Sequence, residues 1–189
     1  NNLLLEKAKA IDCSQFILLS AICVQKPKLA FQFEKLAFEQ ILINSGLNFS
    51  IIRPTAYFKS LSGQIENIKK GKPYIYFGDG ELTQCNPISE KDLSLFILSC
   101  IRDKNKWKKI LPIGGPNQSL TPKNIGEMLF KIFEVTPKYR SFPTKILDVI
   151  GLFFLIGSPF SNWAKNKLEL IKIAKYYATE SMLVWDEDK

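Results

Sequence analysis

Two short apolar runs, separated by a segment with helical spacing, most constrain the fold of this chain. The runs QFILLSA (15–21) and NFSIIRP (48–54) have the length and composition of buried strands, and a proline ends the second. Between them, LAFQFEKLAFEQILINSG (29–46) repeats its apolar residues at helical spacing and reaches Gly46, a residue that often ends helices. A strand, a helix and a strand in this order favour a right-handed crossover between parallel strands. The sequence therefore predicts an α/β fold with a Rossmann-type parallel sheet.

The rest of the chain continues the alternation of strands and helices. Ser89 and Thr121 stand where helix N-caps are expected, and Pro122 takes the first helical position after Thr121. The further predicted elements are strands at 74–82 and 108–115, and helices at 62–71, 88–103, 120–135, 143–156 and 161–179. We expect residues 1–115 to form the sheet domain, except that 61–84 join 116–189 in a smaller, mostly helical lobe.

The amino-acid composition narrows the chemistry that the chain can carry. It contains no histidine, which excludes a Ser-His-Asp triad, a Cys-His nucleophile and a His-ligated metal within this chain. Its four cysteines form no C-x-x-C pair, so we expect reduced, mostly buried thiols and no metal site.

The net charge of +8 raises the question of nucleic-acid binding. Only three of the 26 basic residues are arginines, whereas specific recognition of bases and phosphates favours arginine. The lysines are scattered along the chain, and with abundant Ile, Asn and Phe they indicate a compositional bias. We therefore expect no nucleic-acid partner.

A ligand site is expected where the first two strands end. In open parallel sheets, ligands bind beyond the carboxyl ends of the strands. Ser20-Ala21 follow the first strand and Pro54-Thr55-Ala56 follow the second, and the helix between them brings both loops to one edge. The loop after Arg53 has a proline and small residues where a surface turn would use Gly, Asn or Asp.

Lys35 stands out on the helix between these strands. It falls on one stripe with Phe31, Phe38 and Leu42, at spacings of four, three and four. Its ammonium either extends to water, balanced by a neighbouring glutamate (Glu34 or Glu39), or meets a ligand. The helix alone does not decide between the two.

A strand ending in Ser, a helix carrying a Lys and a following strand ending in R-P-x-x-aromatic together resemble the second half of a short-chain dehydrogenase/reductase. The resemblance implies that Ser20 and Lys35 match two members of that superfamily's catalytic Ser-Tyr-Lys set. Phe31 occupies the position of the Tyr, which places the chain in the atypical, NmrA-like branch. The cofactor-binding residues that the resemblance implies are Ser20, Ala21, Lys35, Pro54, Thr55, Ala56 and Phe58.

Within that branch, longer motifs resemble one family. They include RPTAYFKSLSGQ (53–64), LPIGGPNQSLTP (111–122) and KYYATESMLVWD (175–186), and the resemblance spans about residues 14–186. The family is that of the divinyl chlorophyllide a 8-vinyl-reductases. It implies NADPH-dependent reduction of the pigment's 8-vinyl group in a chloroplast, in the stroma or at a thylakoid or envelope surface, or in the cytoplasm of a photosynthetic bacterium. The alternative is a non-catalytic NmrA-like dinucleotide sensor that binds partner proteins.

The resemblance implies a role for Lys35, but it does not fix the proton donor. Lys35 would hold the nicotinamide ribose and help relay a proton. Tyr57 is the candidate proton donor, with solvent as an equal candidate, because Phe31 has no proton to give. The family's glycine-rich phosphate-binding turn lies before Asn1, so we expect the 189 residues alone to bind NADPH weakly and to be inactive.

Three further stretches have more than one interpretation. KILDVIGLFFLIGSPF (145–160), with Phe153, Phe154 and Ile156, fits a core helix of the small lobe, but also a wall for a pigment or a peripheral membrane contact. YIYFGDG (74–80) fits a strand and tight turn, and its tyrosines could also touch a ligand. PIGGP (112–116) is typical of a strand exit, because no Lys-Ser/Thr pair follows it as in a phosphate loop.

Overall fold

The computed structural model describes residues 2–116, 118–159 and 161–184 of the 189-residue chain. In chain order, its helices and strands are α1 (Asn2–Ala10), β1 (Phe16–Leu19), α2 (Ala30–Ile43), β2 (Phe49–Pro54), α3 (Phe58–Leu61), α4 (Ile65–Lys69), β3 (Tyr74–Phe77), α5 (Glu90–Arg102), β4 (Lys109–Ile113), α6 (Pro122–Ile132), β5 (Tyr139–Phe142), α7 (Lys145–Gly157) and α8 (Asn162–Thr179). Short 3₁₀ turns lie at Ile22–Gln25, Ser62–Gln64 and Lys104–Lys106.

Strands β1, β2 and β4 form a parallel sheet with β2 in the centre. Phe16 of β1 pairs with Phe49 of β2, and Ile52 of β2 pairs with Leu111 of β4. The predicted parallel crossover from β1 through α2 to β2 is therefore confirmed. Helix α2 ends three residues before Gly46, whose φ of +83° is a conformation that glycine adopts without strain.

Helices pack against both faces of this sheet. Successive residues of the central strand point to opposite faces, so neighbouring residues pack against different helices. Ile51 and Ile52 are both fully buried but belong to different core clusters. Ile51 packs with Leu5 of α1 and with Phe38 and Leu42 of α2. On the other face, Ile52 packs with Ile88, Leu93 and Cys100. Burying a side chain of this size contributes about 1.5–3 kcal/mol, so the two clusters hold the layers together.

The described residues divide into two compact units. The first comprises the described parts of 1–58, 86–117 and 183–189, and it contains the three-stranded sheet. The second comprises the described parts of 59–85 and 118–182.

The second unit has a small parallel sheet of its own. Strand β3 pairs with β5, with Tyr74 opposite Tyr139. The core beside it consists of Ile68, Tyr74, Ile125 and Phe130. Sequence analysis did not predict β5 (Tyr139–Phe142), because only one of its four residues is even half-buried and it has no apolar alternation.

The remaining helices of the second unit form a hairpin in which α7 packs on α8. Gly157 of α7 faces Ala164 of α8, and a Cβ added to Gly157 would lie 3.4 Å from Cβ of Ala164, an ordinary packing distance. Both helices lie where the sequence predicted them. The predicted caps are also confirmed: Ser89 accepts from the amide of Asp92, and Thr121 accepts from the amide of Asn124.

Candidate functional site

The carboxyl ends of the three parallel strands meet at one edge of the first unit. Ser20-Ala21 follow β1, Thr55-Ala56 follow β2 and Gly114-Gly115 follow β4. Because the strands are parallel and paired in register, these three exits lie beside one another. This is the edge at which open α/β sheets bind ligands, and it is the candidate site.

The loop after β2 is held firmly by its neighbours. Thr55 is only 4% exposed, and its amide donates to the carbonyl of Ile113 at 2.9 Å. Its hydroxyl donates to the carbonyl of Asn86. Ala56 accepts from the amide of Ile88 at 2.9 Å. Among the described residues, no backbone acceptor receives a hydrogen bond from the amide of Ala56 or Tyr57.

The strand exit after β4 packs closely on the segment Asn86-Pro87, which also contacts the loop after β2. A Cβ added to Gly115 would lie 2.0 Å from the carbonyl oxygen of Pro87, so no larger residue fits there without movement. The amide of Gly115 donates to the carbonyl of Asn86 at 3.1 Å. The interpretation of PIGGP as a strand exit is confirmed, because β4 ends at Ile113. Sequence analysis missed the part of Asn86, which accepts from both Thr55 and Gly115.

A buried ion pair joins the ends of β1 and β2. Glu39 is only 2% exposed, and its carboxylate accepts from the hydroxyl of Ser20 at 2.5 Å and lies 2.5 Å from Nη2 of Arg53. Nε of Arg53 donates to the same carboxylate at 3.3 Å. The network fixes α2 against both strand ends. The hydroxyl hydrogen of Ser20 is therefore already donated to a group within the protein.

Lys35 lies one helical turn before Glu39, on the same face of α2. The chain enters α2 from the strand exits and runs back along the sheet, so Lys35 lies farther out beyond the strand ends than Glu39. Its side chain is half-buried, and its ammonium makes no hydrogen bond or ion pair with any described residue. Glu39 is one of the two glutamates predicted to balance the charge of Lys35. Its carboxylate instead accepts hydrogen bonds from Ser20 and Arg53.

The segment between β1 and α2 places a thiol near this lysine. Ala21 precedes a 3₁₀ turn in which Ile22, Cys23 and Val24 are buried. Burial raises the pKa of the Cys23 thiol, while hydrogen bonding by Gln32 and the charge of Lys35 partly oppose that rise. The thiol is therefore protonated at neutral pH and is not set up as a nucleophile.

Sequence analysis missed the role of Gln32 in shaping the same segment. Gln32 is fully buried, and its Oε1 accepts from the amides of Lys28 and Leu29 at 2.7 and 2.9 Å. These bonds fix the start of α2 and therefore the position of Lys35, which lies three residues later.

The aromatic residues of the candidate site have apolar surroundings. Phe31 is half-buried and offers no proton. The ring of Tyr57 packs against the core cluster that contains Ile52 and Ile88. Burial, and to a smaller extent the charge of Glu90, raise the pKa of Tyr57, so its phenol stays neutral at physiological pH. Phe58 begins α3 and is 48% exposed.

The second unit contains an apolar cavity of about 300 Å³. Its walls come from β3, from the turn after it and from α6 and α8, and the lining residues are Ile75, Tyr76, Phe77, Leu82, Thr83, Pro122, Ala174, Tyr177 and Ala178. YIYFGDG does form a strand and a turn, in which Gly78 and Gly80 have positive φ. Tyr76 of the same stretch also faces the cavity. Among the described residues, no group of three Cys, Asp or Glu side chains could hold a metal ion.

Comparison with curated proteins finds four matches, all of them divinyl chlorophyllide a 8-vinyl-reductases described as chloroplastic. The protein from Arabidopsis thaliana is 49% identical over 187 residues, which is 95% of this chain and 45% of that protein. The protein from Oryza sativa subsp. indica is 47% identical over 97% of this chain. The chain thus spans about half the length of the curated relatives it matches. The resemblance drawn from the sequence motifs is confirmed.

Comparison with solved structures identifies the fold. An NADPH-dependent quinone oxidoreductase from Escherichia coli, complexed with NADPH, matches with a TM-score of 0.69 and 13% identity, over 92% of this chain and 58% of that one. A nucleoside-diphosphate-sugar epimerase from Staphylococcus aureus matches with a TM-score of 0.66 and 14% identity, over 93% of this chain and 60% of that one. These neighbours confirm the Rossmann-type fold. No protein-family model matches the chain.

Proposed function

We propose that this chain carries the nicotinamide side of the active site of a divinyl chlorophyllide a 8-vinyl-reductase. The proposed reaction is the NADPH-dependent reduction of the pigment's 8-vinyl group to ethyl, in a chloroplast. The observation that carries the proposal is 46–49% identity with four such reductases, over 93–97% of this chain.

The residues at the strand ends fit a nicotinamide cofactor. Lys35 is half-buried, and its ammonium has no ion-pair partner among the described residues, which suits the hydroxyls of a ribose. The amides of Ala56 and Tyr57 suit an amide oxygen such as that of a carboxamide. We propose that Lys35 and the loop from Pro54 to Phe58 hold the nicotinamide and its ribose, with Ser20 and Ala21 forming the adjoining wall.

The hydrogen bond from Ser20 to Glu39 agrees with reduction of a carbon–carbon double bond. In carbonyl reduction, a hydroxyl must donate to the substrate oxygen as negative charge develops on it. A vinyl group has no such oxygen, and here the Ser20 hydroxyl donates to Glu39 while Phe31 has no hydroxyl. NADPH, when bound, would supply the hydride, and the conjugated macrocycle could spread the resulting negative charge.

A proton must then reach the second carbon to complete the ethyl group. Tyr57 is the proposed donor because it is the tyrosine of the loop after β2, two residues after Thr55. Burial raises the pKa of its phenol, which keeps the phenol protonated but also makes it a weaker acid. Lys35 is the proposed relay that restores the phenol proton. Solvent is the alternative donor, and replacing Tyr57 separates the two.

The apolar cavity of the second unit is the proposed seat for part of the pigment. Its volume of about 300 Å³ is at the lower end of small-molecule sites, so it would admit one edge of a macrocycle. Its lining is aromatic and aliphatic, as an uncharged ring edge requires. The chlorophyllide is the proposed substrate, and we expect no nucleic-acid partner.

The test of the proposed function is a pigment assay with the protein produced from its full reading frame. The protein is mixed with NADPH and divinyl chlorophyllide, and the Soret band is followed for the shift to the monovinyl product. Conversion that depends on NADPH supports a reductase. Cofactor binding without conversion would instead support the alternative, a non-catalytic dinucleotide sensor.

A further inference from the structure

Helix α7 has apolar side chains on its outward face as well as on the face that packs against α8. Val149, Leu152, Phe153 and Ile156 are 68, 59, 72 and 69% exposed. Their spacing places them on one line along the helix, which we name the α7 stripe. A continuous exposed apolar line of this kind is typical of a surface that meets a partner or a membrane.

Aromatic rings extend the α7 stripe to the start of α8. The ring of Phe153 contacts that of Phe154, and the ring of Phe154 contacts that of Trp163, each pair with centroids 5.5 Å apart. Trp163 is 63% exposed, and the ammonium of Lys167 lies 5.9 Å from its ring centroid. An exposed Trp beside a Lys is typical of surfaces that meet the interfacial region of a membrane.

The charges around the α7 stripe are mainly positive. Residues 145–175 contain five lysines and two acidic residues, Asp148 and Glu169. Both acids are paired within the hairpin, Asp148 with Lys175 and Glu169 with Lys172. The other three lysines make no ion pair with the described residues: Lys145, Lys165 and Lys167. Lys145 lies one turn before Val149, at the end of the α7 stripe.

We propose that the α7 stripe and the start of α8 form a surface that binds a lipid bilayer containing anionic lipids. The apolar side chains would enter the boundary between headgroups and acyl chains, with Trp163 at its edge and the unpaired lysines at the lipid phosphates. A second copy of the chain fits less well, because two such surfaces would bring like charges together. The inference goes beyond the proposed reduction, since it concerns where the protein lies whatever it reduces.

No helix in the described ranges has the length and apolar character needed to span a bilayer.

Vesicle flotation of the protein produced from its full reading frame tests this surface. The vesicles are phosphatidylcholine alone, or phosphatidylcholine mixed with phosphatidylglycerol. The protein is expected to float with the anionic vesicles, and less with the neutral ones. Phe153→Ser with Ile156→Ser should lower vesicle binding by about tenfold or more, because two large apolar side chains leave the interface. Lys145→Glu with Lys167→Glu should lower binding to anionic vesicles by at least about fivefold for each charge.

A matched control removes exposed apolar surface from another helix of the same unit. Met128 and Ile132 of α6 are 47 and 65% exposed, and changing both to Ser should leave flotation unchanged. Failure of the unmodified protein to float with anionic vesicles would overturn the proposal, since another part of the protein would then cover the stripe. Flotation of the Phe153/Ile156 variant at the unmodified level would also overturn it. So would a dimer in sedimentation that the same variant dissociates, without any vesicle binding.

Discussion

The hydroxyl of Ser20 donates a 2.5 Å hydrogen bond to Oε1 of Glu39, a carboxylate that also pairs with Arg53. The serine at the end of β1 is therefore bound to a helix rather than directed at a ligand. Lys35, one turn along that helix, keeps its ammonium outside the network. The arrangement gives Glu39 a structural role and leaves the ammonium of Lys35 outside that network, where we propose that it meets the ligand.

Replacing Glu39 by Gln should destabilise the protein strongly. It leaves the Arg53 guanidinium in a largely buried place without its counter-charge, which costs about 3 kcal/mol. Urea unfolding of the full-length protein measures the loss. Glu34→Gln, an exposed change on the same helix, is the matched control and should stay within about 0.5 kcal/mol of the unmodified protein. Equal stabilities of the two variants would contradict the structural role of Glu39.

Replacing Gly115 by Ala should also destabilise the protein, by about 2 kcal/mol or more, because the new Cβ would overlap the carbonyl of Pro87. Gly63→Ala is the control, since no atom lies within 4 Å of a Cβ added there. Thermal unfolding should show a lower midpoint for the first variant only. A Gly115→Ala protein as stable as Gly63→Ala would mean that the strand exit does not pack on Pro87.

The first sheet was predictable because its residues follow simple periods. The runs around Ile17 and Ile51 are continuous and apolar, as strands buried on both faces must be. Strand β5 was not predictable, since YRSF at 139–142 is mostly exposed and its pairing with β3 depends on contacts distant in sequence.

Local sequence patterns could not predict much of the candidate site. Glu39 has the sequence signature of a helix surface residue, and only the folded chain brings Ser20 and Arg53 to it. Asn86 sits in an irregular segment, where nothing local marks its carbonyl as the acceptor for two separate loops. Ser20 and the loop after β2 were predicted because the ends of parallel strands share one edge. Lys35 was predicted from its place in an apolar helical stripe and from the family resemblance.

Replacing Tyr57 by Phe tests the proton donor. If the phenol delivers the proton, turnover in the pigment assay should fall by about 10²-fold, with the KM for NADPH little changed. The ring contacts with the core around Ile52 and Ile88 remain, so the fold should be kept. Ser94→Ala, which removes an exposed hydroxyl from α5, is the control and should leave turnover unchanged. A Tyr57→Phe enzyme that turns over normally would assign the proton to solvent.

Filling the cavity of the second unit tests the proposed pigment seat. Ala178→Trp puts a large ring into a space of about 300 Å³. The KM for the pigment should rise by about tenfold or more, while NADPH affinity stays the same. Asn166→Trp, at an exposed position of the same helix, should change neither value. An unaltered pigment KM in a folded Ala178→Trp protein would place the pigment elsewhere.

The proposed role of Lys35 in the reaction is tested most directly by the turnover of Lys35→Met in the full-length protein, with NADPH and divinyl chlorophyllide. Lys91→Met, an exposed change on α5, is the matched control and should be fully active. The account predicts that Lys35→Met loses about 10²-fold or more in turnover while its unfolding midpoint is unchanged. A folded Lys35→Met protein with near-normal turnover would contradict it, and Lys35 would then be a residue that only packs.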